Sequence, residues 1–298
     1  MKLFAPEYYK DFVCIADRCK HSCCVGWEIP VDDESAERYE ALTEGYGDFV
    51  RRSLDENEDG RCFSMMPDGR CVHLDGRGLC KMITSLGEDM LCDICREHPR
   101  FYNITPRGAE VGIGASCEEA ARLILDSDSF DTLALVGEYD ADGCDYLDPC
   151  EIRGKIYRIL KDTSLPYSER LASVYETACV SPAMLTDEDW RTEIEELELM
   201  EDDSADRFSV YTSDPRVSEE YGEVLSRFLA YLVYRHATEC ETVSERRLAL
   251  GFAFFAERLF ASMLKNEGFE ARYDIARIIS EEIEYSEDNT ESIKLEFI

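Results

Sequence analysis

CIADRCKHSCC, residues 14–24, places Cys14, Cys19, Cys23 and Cys24 in one short run, and how these thiols are read decides how the first part of the chain folds. Isolated cysteines behave as small hydrophobes, whereas thiolates gathered in sequence can converge on a soft metal and organise loops around it. The adjacent pair Cys23–Cys24 carries extra information. Neighbouring side chains point about 100° apart on a helix and to opposite faces of a strand, so one tetrahedral ion holds both awkwardly. A polynuclear centre, or two separate centres, takes the pair more easily, which favours iron–sulfur over a simple zinc ribbon.

Outward from this run, six further cysteines follow before residue 118: Cys62, Cys71, Cys80, the Cys92-x2-Cys95 pair and Cys117. Cys144, Cys150, Cys179 and Cys240 are scattered and read as core residues. The opening MKLFAPEYYKDFVC carries Lys2, Glu7, Lys10 and Asp11 and no apolar run, unlike a secretion signal. Apolar stretches such as Phe228–Tyr234 are too short to cross a bilayer. A cytoplasmic protein with reduced thiols is therefore expected, and metal ligation rather than a disulfide framework.

Competing motifs fail on spacing. After Cys19-x3-Cys23 a radical S-adenosylmethionine signature needs a cysteine where Gly26 stands, and Glu88 occupies the matching place before Cys92-x2-Cys95. EVGIGASC, residues 110–117, has two glycines in the style of a nucleotide loop, but no series of strand–helix–strand units follows it. Cys92 and Cys95 as a thioredoxin-like redox pair lack the surrounding parallel-sheet pattern. His21 and His73 lie inside the cysteine loops as alternative ligands, His98 precedes Pro99, and His236 reads as a packed helix residue.

The fold class expected is mainly α with minor β, a Cys-rich metal-binding N-terminal region packed on a C-terminal helical bundle. Residues 1–126 form the Cys-rich metal- or iron–sulfur-binding region, residues 127–149, rich in Asp and Gly, a linker, and residues 150–298 the helical domain. ESAERYEALTEG, residues 34–45, predicts a short helix closed by Gly45. AEVGIGASCEEAARLIL, residues 109–125, predicts a strand turning into a helix with Ser116 as N-cap and Glu119 completing a capping box. Further on, Leu225, Phe228, Leu229 and Leu232 share a helix face, as do Leu248, Phe252, Phe255, Leu259 and Met263, and then Ile275, Ile278, Ile279 and Ile283. Ser244 is the expected N-cap of the second of these helices and Gly268 its stop.

With 32 basic and 65 acidic residues the formal net charge is -33. Such a surface repels nucleic acid and anionic membrane, so neither is an expected partner, and a charged partner should be basic. Between Thr186 and Asp206 lie eleven carboxylates and one arginine. This predicts an exposed helix starting at a Thr186 cap and ending in a mobile acidic loop, with docking of a basic segment as the sharper reading.

CIADRCKHSCCVGWEIPVD (14–32), CVHLDGRGLCKM (71–82), LGEDMLCDICREHPRFYN (86–103) and SCEEAARLIL (116–125) together resemble the flagellin lysine-N-methylase family, part of a wider set of proteins with a Cys-rich zinc- or iron-chelating domain. FLAYLVYRH (228–236) and IISEEIEYSEDN (278–289) also look like segments of that family, so the resemblance runs through the whole chain. It implies Cys14, Cys19, Cys23, Cys24, Cys71, Cys80, Cys95 and Cys117 as metal ligands, with Cys62 and Cys92 extra to the pattern. It further implies an iron–sulfur cluster, [4Fe-4S] in type, or zinc in its place, S-adenosylmethionine as methyl donor, and the ε-amine of lysines on flagellin or a similar protein as acceptor. Arg100 is the implied contact for an anionic donor group, with Trp27, Tyr102, Glu284 and Asn289 lining the pocket. The alternative is a non-catalytic zinc- or iron-binding protein whose Cys-rich region senses, stores or is merely held together by metal.

Overall fold

The computed structural model describes residues 1–57, 60–201 and 203–298. The chain is mainly α with a small β component, as expected. Its contacts divide it into two compact units, Val13–Arg100 and the discontinuous Met1–Phe12 with Phe101–Ile298. That division departs from the boundary expected from composition, because the chain opens with a strand, β1 (Lys2–Pro6), whose partners lie far along the sequence.

The Val13–Arg100 unit carries α1 (Asp33–Glu40), α2 (Gly45–Arg52), a hairpin of β2 (Leu54–Asn57) and β3 (Gly60–Phe63), α3 (Lys81–Leu86) and α4 (Asp93–Glu97). Asp32 caps α1 by accepting from the Ser35 amide at 2.8 Å. The expected helix over residues 34–45 is shorter than its sequence suggested. Gly45 does not close it but opens α2 with a φ of +58°, a conformation glycine adopts without steric cost. Ile29, Val31, Ala36, Tyr39, Val50, Phe63 and Met82 form a small apolar core that also takes in Cys71 and Cys92.

The second unit is built on a four-stranded sheet in the order β4–β5–β1–β6, with β4 (Arg100–Thr105), β5 (Gly108–Ile113) and β6 (Leu133–Glu138). Strand β1 runs parallel to β5 and antiparallel to β6, so residues 133–138 of the expected linker are strand. At Gly108, φ is +145° and an added Cβ would stand 2.6 Å from the Lys2 carbonyl oxygen, so only glycine lets β1 approach. Every residue of β5 is buried, which accounts for its apolar composition. The exception is Glu110, which accepts a two-pronged pair of hydrogen bonds, 2.6 Å each, from buried Arg153.

Helices α5 (Glu118–Asp126), α6 (Cys150–Leu160), α7 (Tyr167–Ala178), α8 (Asp187–Glu196), α9 (Ser204–Phe208), α10 (Gly222–His236), α11 (Val243–Glu267), α12 (Arg272–Ile279) and α13 (Glu287–Leu295) complete this unit. Every residue of α11 from Ala249 to Leu264 is buried, so this helix is its axis. The charged pair Glu257 and Arg258 inside that run is satisfied internally, and the Tyr167 hydroxyl donates to Glu257 at 2.8 Å. The three apolar faces read from periodicity are all buried except at Leu248, which is half-buried.

Several expected caps move. Thr242, not Ser244, caps α11 by accepting from the Glu245 amide at 3.1 Å, while Gly268 stops it as anticipated. Cys117, not Ser116, is the N-cap of α5 and makes no side-chain capping bond; Glu119 pairs with Arg122 instead. Thr186 does cap α8, in a box with Asp189. That helix is not exposed throughout, because Trp190 and Ile194 are buried. The chain after it is held by Glu282, which accepts from the Met200 and Glu201 amides. Asp202 of the expected acidic loop lies outside the described residues.

Candidate metal centre and cleft

In the Val13–Arg100 unit, short elements bring thiols together. The Cys23–Cys24 loop is latched onto the chain after β3 by backbone bonds from Cys71 N to Cys24 O at 2.8 Å and from Gly26 N to Gly69 O at 2.9 Å. Asp75 folds the next turn by accepting from the Arg77 and Leu79 amides, and Cys80 follows as the N-cap of α3. Cys92 is the N-cap of α4, which places Cys95 in its first turn. Asp32 ties this helix to α1 by also accepting from the Asp93 amide at 2.9 Å. Tyr39 reinforces the tie through its hydroxyl, which donates to Met90 O at 2.6 Å.

Five thiols, Cys24, Cys71, Cys80, Cys92 and Cys95, are packed within or against one small core. They act on one another electrostatically: Cys71 feels Cys24, Cys80 and Cys92, and Cys95 feels Cys92, Cys24 and Cys23. Burial pushes the Cys71 thiol up to about 12 and raises Cys80 as well. Hydrogen bonding from Cys23 brings Cys24 down to about 7 against the effect of burial. Within the Cys92–Cys95 pair the shared hydrogen bond lowers Cys92 and raises Cys95. Thiols that resist ionising together suit a cation able to take up their charge, and all-sulfur donors suit iron–sulfur or zinc. Among the described residues, no three Cys, His, Asp or Glu side chains already stand in a ligating arrangement. The fit therefore rests on donor type, number and burial.

The implied ligand set is gathered in part. Cys23, Cys24, Cys71, Cys80 and Cys95 belong to this thiol group. Cys14 is exposed, and the Cys19 thiol donates to His21 O at 2.8 Å. Cys117 belongs to the other unit, half-buried against its core. Cys62 is buried on β3 beside Glu28 and Asp55. Cys92, extra to the family pattern, is 1% exposed and sits inside the group; the Cys92-x2-Cys95 spacing was the signal for it. Both ring nitrogens of His73 are engaged, with the Tyr46 hydroxyl at 2.9 Å and the Ser53 hydroxyl at 3.0 Å, and burial lowers this imidazole to about 4. Trp27 donates its indole N–H to Cys23 O at 3.0 Å, a scaffold contact for the cysteine loop. Arg100 donates to Arg96 O at 3.5 Å.

The sheet-and-helix unit holds an open cleft of about 590 Å³ whose lining includes Phe101, Asn103, Arg235, His236, Glu284 and Lys294. Helix α12 runs into a π-helical turn, Ser280–Glu284, that ends on the buried Glu284 carboxylate. One of its oxygens accepts from His236 Nε2 at 2.6 Å, the Tyr231 hydroxyl stands 3.0 and 3.1 Å from the two oxygens, and the Arg235 guanidinium lies 3.6 Å away. Burial alone would raise Glu284, but the Arg235 charge and the His236 bond outweigh it and bring the carboxyl down to about 2. Burial lowers His236. Arg235 is further held between the rings of Phe101 and Tyr285, at 4.9 and 4.5 Å.

Of the implied pocket residues, Glu284 lines this cleft. Asn289 is spent on the scaffold, bonding to the Glu198 backbone and to Glu282 O. Tyr102 stacks on Tyr139 at 4.8 Å. Arg235 and His236 lay in the quoted FLAYLVYRH segment but were not singled out as site residues, since helical periodicity shows a polar residue's position and not its partner.

No family model matches the chain, and no solved structure matches it. Over 126 residues, 40% of the chain, it is 25% identical to "Flagellar biosynthetic protein FliU" of Salmonella muenchen, of which the match covers 75%. At the same identity it matches proteins named "Lysine-N-methylase" from Salmonella choleraesuis and Salmonella typhimurium, spanning 31% of the length of each.

Proposed function

We propose that this chain is a protein lysine N-methyltransferase with a thiol-bound metal centre, acting on flagellin or a similar lysine-bearing protein with S-adenosylmethionine as donor. The observation that carries this reading is the distant similarity to proteins named lysine-N-methylase and to a flagellar biosynthetic protein. Such a donor would supply an electrophilic methyl on a sulfonium: the lysine Nε lone pair would bond to that carbon as the S–CH3 pair returned to sulfur, leaving a thioether. The acceptor must first lose a proton from its ammonium. Glu284, held ionised by Arg235 and His236, is suited to fixing a cation rather than to taking that proton.

Cys24, Cys71, Cys80, Cys92 and Cys95, with Cys23 beside them, are the residues that would hold the metal. A bound iron–sulfur cluster or zinc would cross-link loops that share only a small apolar core. The test is anaerobic incubation of metal-loaded protein with methyl-labelled donor and flagellin. Label in flagellin lysines is expected, and its absence with the metal centre fully loaded overturns the reading. Iron with sulfide and a brown colour would identify a cluster; colourless protein with zinc would identify the alternative. Metal content without donor binding, read by calorimetry, would instead favour a non-catalytic metal-binding protein.

A further inference from the structure

His73 stands in sequence between two of the gathered thiols, Cys71 and Cys80, and is 1% exposed. Its ring makes T-shaped contacts with Phe63, Phe49 and Tyr46, centroid to centroid 4.6, 5.6 and 5.9 Å. An apolar side chain would fill that place without burying two ring nitrogens, which costs free energy unless both are bonded. Both are bonded, and to one element: Nδ1 meets the Tyr46 hydroxyl of α2 at 2.9 Å, and Nε2 meets the hydroxyl of Ser53, the C-cap of α2, at 3.0 Å.

The partners fix where each proton sits. Ser53 has one hydroxyl proton and donates it to Val50 O at 2.7 Å, so towards His73 its oxygen can only accept. Nε2 therefore carries the imidazole proton. A second ring proton would make a buried cation beside Lys81, with no carboxylate partner for it among the described residues. Nδ1 is thus left to accept, and the Tyr46 hydroxyl donates to it. Both nitrogens are spent, and no lone pair remains for a metal.

The same residue closes the loop that carries the two thiols. Its carbonyl accepts from the Lys81 amide at 2.8 Å, next to Cys80, and its own amide acts as a hydrogen-bond donor to the Cys71 sulfur. Tyr46 lies within electrostatic reach of Cys80 and Cys71, so the far end of the strap also stands near both thiols.

We propose that His73 is a positioning residue of the metal centre and not one of its ligands: a neutral imidazole, protonated on Nε2, that straps the Cys71–Cys80 loop to Tyr46 and Ser53 and sets how firmly these thiols hold a metal. The assignment rests on the thiol-bound metal of the proposed function and not on methyl transfer, so a failure of transfer leaves it standing.

The probe is Co2+ alone, bound anaerobically to the full, reduced chain. The position of its visible bands reports the donor set, and a competing chelator reports the rate of release. His73→Phe keeps a ring of similar size but loses both bonds, and Tyr46→Phe loses one hydroxyl. Each should leave the bands where the wild type has them and speed release roughly tenfold, the lower end of what such partners of metal ligands contribute. The double variant should release no faster than His73→Phe, because both changes break one link. His73→Asn, whose Oδ1 can still accept from Tyr46, should release more slowly than His73→Phe. Phe49→Leu, which alters the ring contact but no hydrogen bond, should stay near the wild-type rate. A band shift in His73→Phe would make the histidine a ligand and overturn the assignment. Wild-type release rates in both Phe variants, equal rates for His73→Asn and His73→Phe, or effects that multiply in the double variant would overturn the strap. A wild type that takes up no Co2+ would remove the metal reading and this role with it.

Discussion

Glu284 shows what a single buried side chain costs and gives. Its folded value near 2 lies below the ordinary 4.5, so its contribution to stability is complete above about pH 5 and is lost as pH falls from 4.5 towards 2. The difference corresponds to about 3 kcal/mol. His236, lowered by burial, acts in the same direction, since acid protonates it more readily in the unfolded chain. Urea melts of the wild type should therefore weaken steeply between pH 5 and pH 3. Glu284→Gln should be about 3 kcal/mol less stable at pH 7, because Arg235 loses its buried counter-charge, and flatter over that acid range. A wild-type profile as flat as the variant's would remove Glu284 as the acid-sensitive group. Cys92 makes the complementary point for the thiols. If the thiols bind metal as proposed, its burial and its bond with Cys95 predict that Cys92→Ser lowers metal bound per chain, while Cys62→Ser, beside Glu28 and Asp55, leaves metal content unchanged. Metal analysis of the two variants decides it. The Cys92-x2-Cys95 spacing set Cys92 apart from Cys62 in the sequence; what it could not display was that Cys92 packs with Cys24, Cys71 and Cys80, because that depends on how α4 is tied to Asp32.

Among the elements, the helices of the second half were legible because apolar residues recur at helical spacing and those faces are buried. Their ends were less legible. Thr242 and Ser244 are both good capping residues two positions apart, and only the backbone decides that Thr242 takes the cap by accepting from the Glu245 amide. Thr242→Ala should accordingly lower stability by about 1 kcal/mol, and Ser244→Ala, within the first turn of α11, by less than half of that, as read by thermal melts. Equal losses would return the cap to Ser244. The axis helix offers a sharper test at Gly251. A Cβ there would stand 2.5 Å from the Phe297 ring, so Gly251→Ala must displace the end of the chain despite alanine's better helix propensity. A loss of about 1–3 kcal/mol is expected, relieved by Phe297→Leu in the same chain if the clash is the cause.

For the whole molecule, composition separated a cysteine-rich part from a helical part along a line different from the one that contacts draw. Nothing in MKLFAP announces that β1 pairs with residues 109–110 and 133–138, and such long-range pairing leaves no local pattern. The division by contacts has an energetic consequence. The Met1–Phe12 and Phe101–Ile298 unit has a large apolar core threaded by α11, whereas the Val13–Arg100 unit has few core residues besides its thiols. Burial of apolar area supplies most folding free energy, so a small unit depends more on any added cross-link. If metal binds the thiols, its removal should therefore act on one unit. Hydrogen exchange before and after anaerobic chelation is expected to show lost amide protection at β3, α3 and α4, with α10 and α11 still protected. Uniform loss over both units would mean that the chain unfolds as one cooperative body. No change at Cys71, Cys80 and Cys92 would mean that the apolar core alone sustains the thiol loops and that metal has no structural part in them.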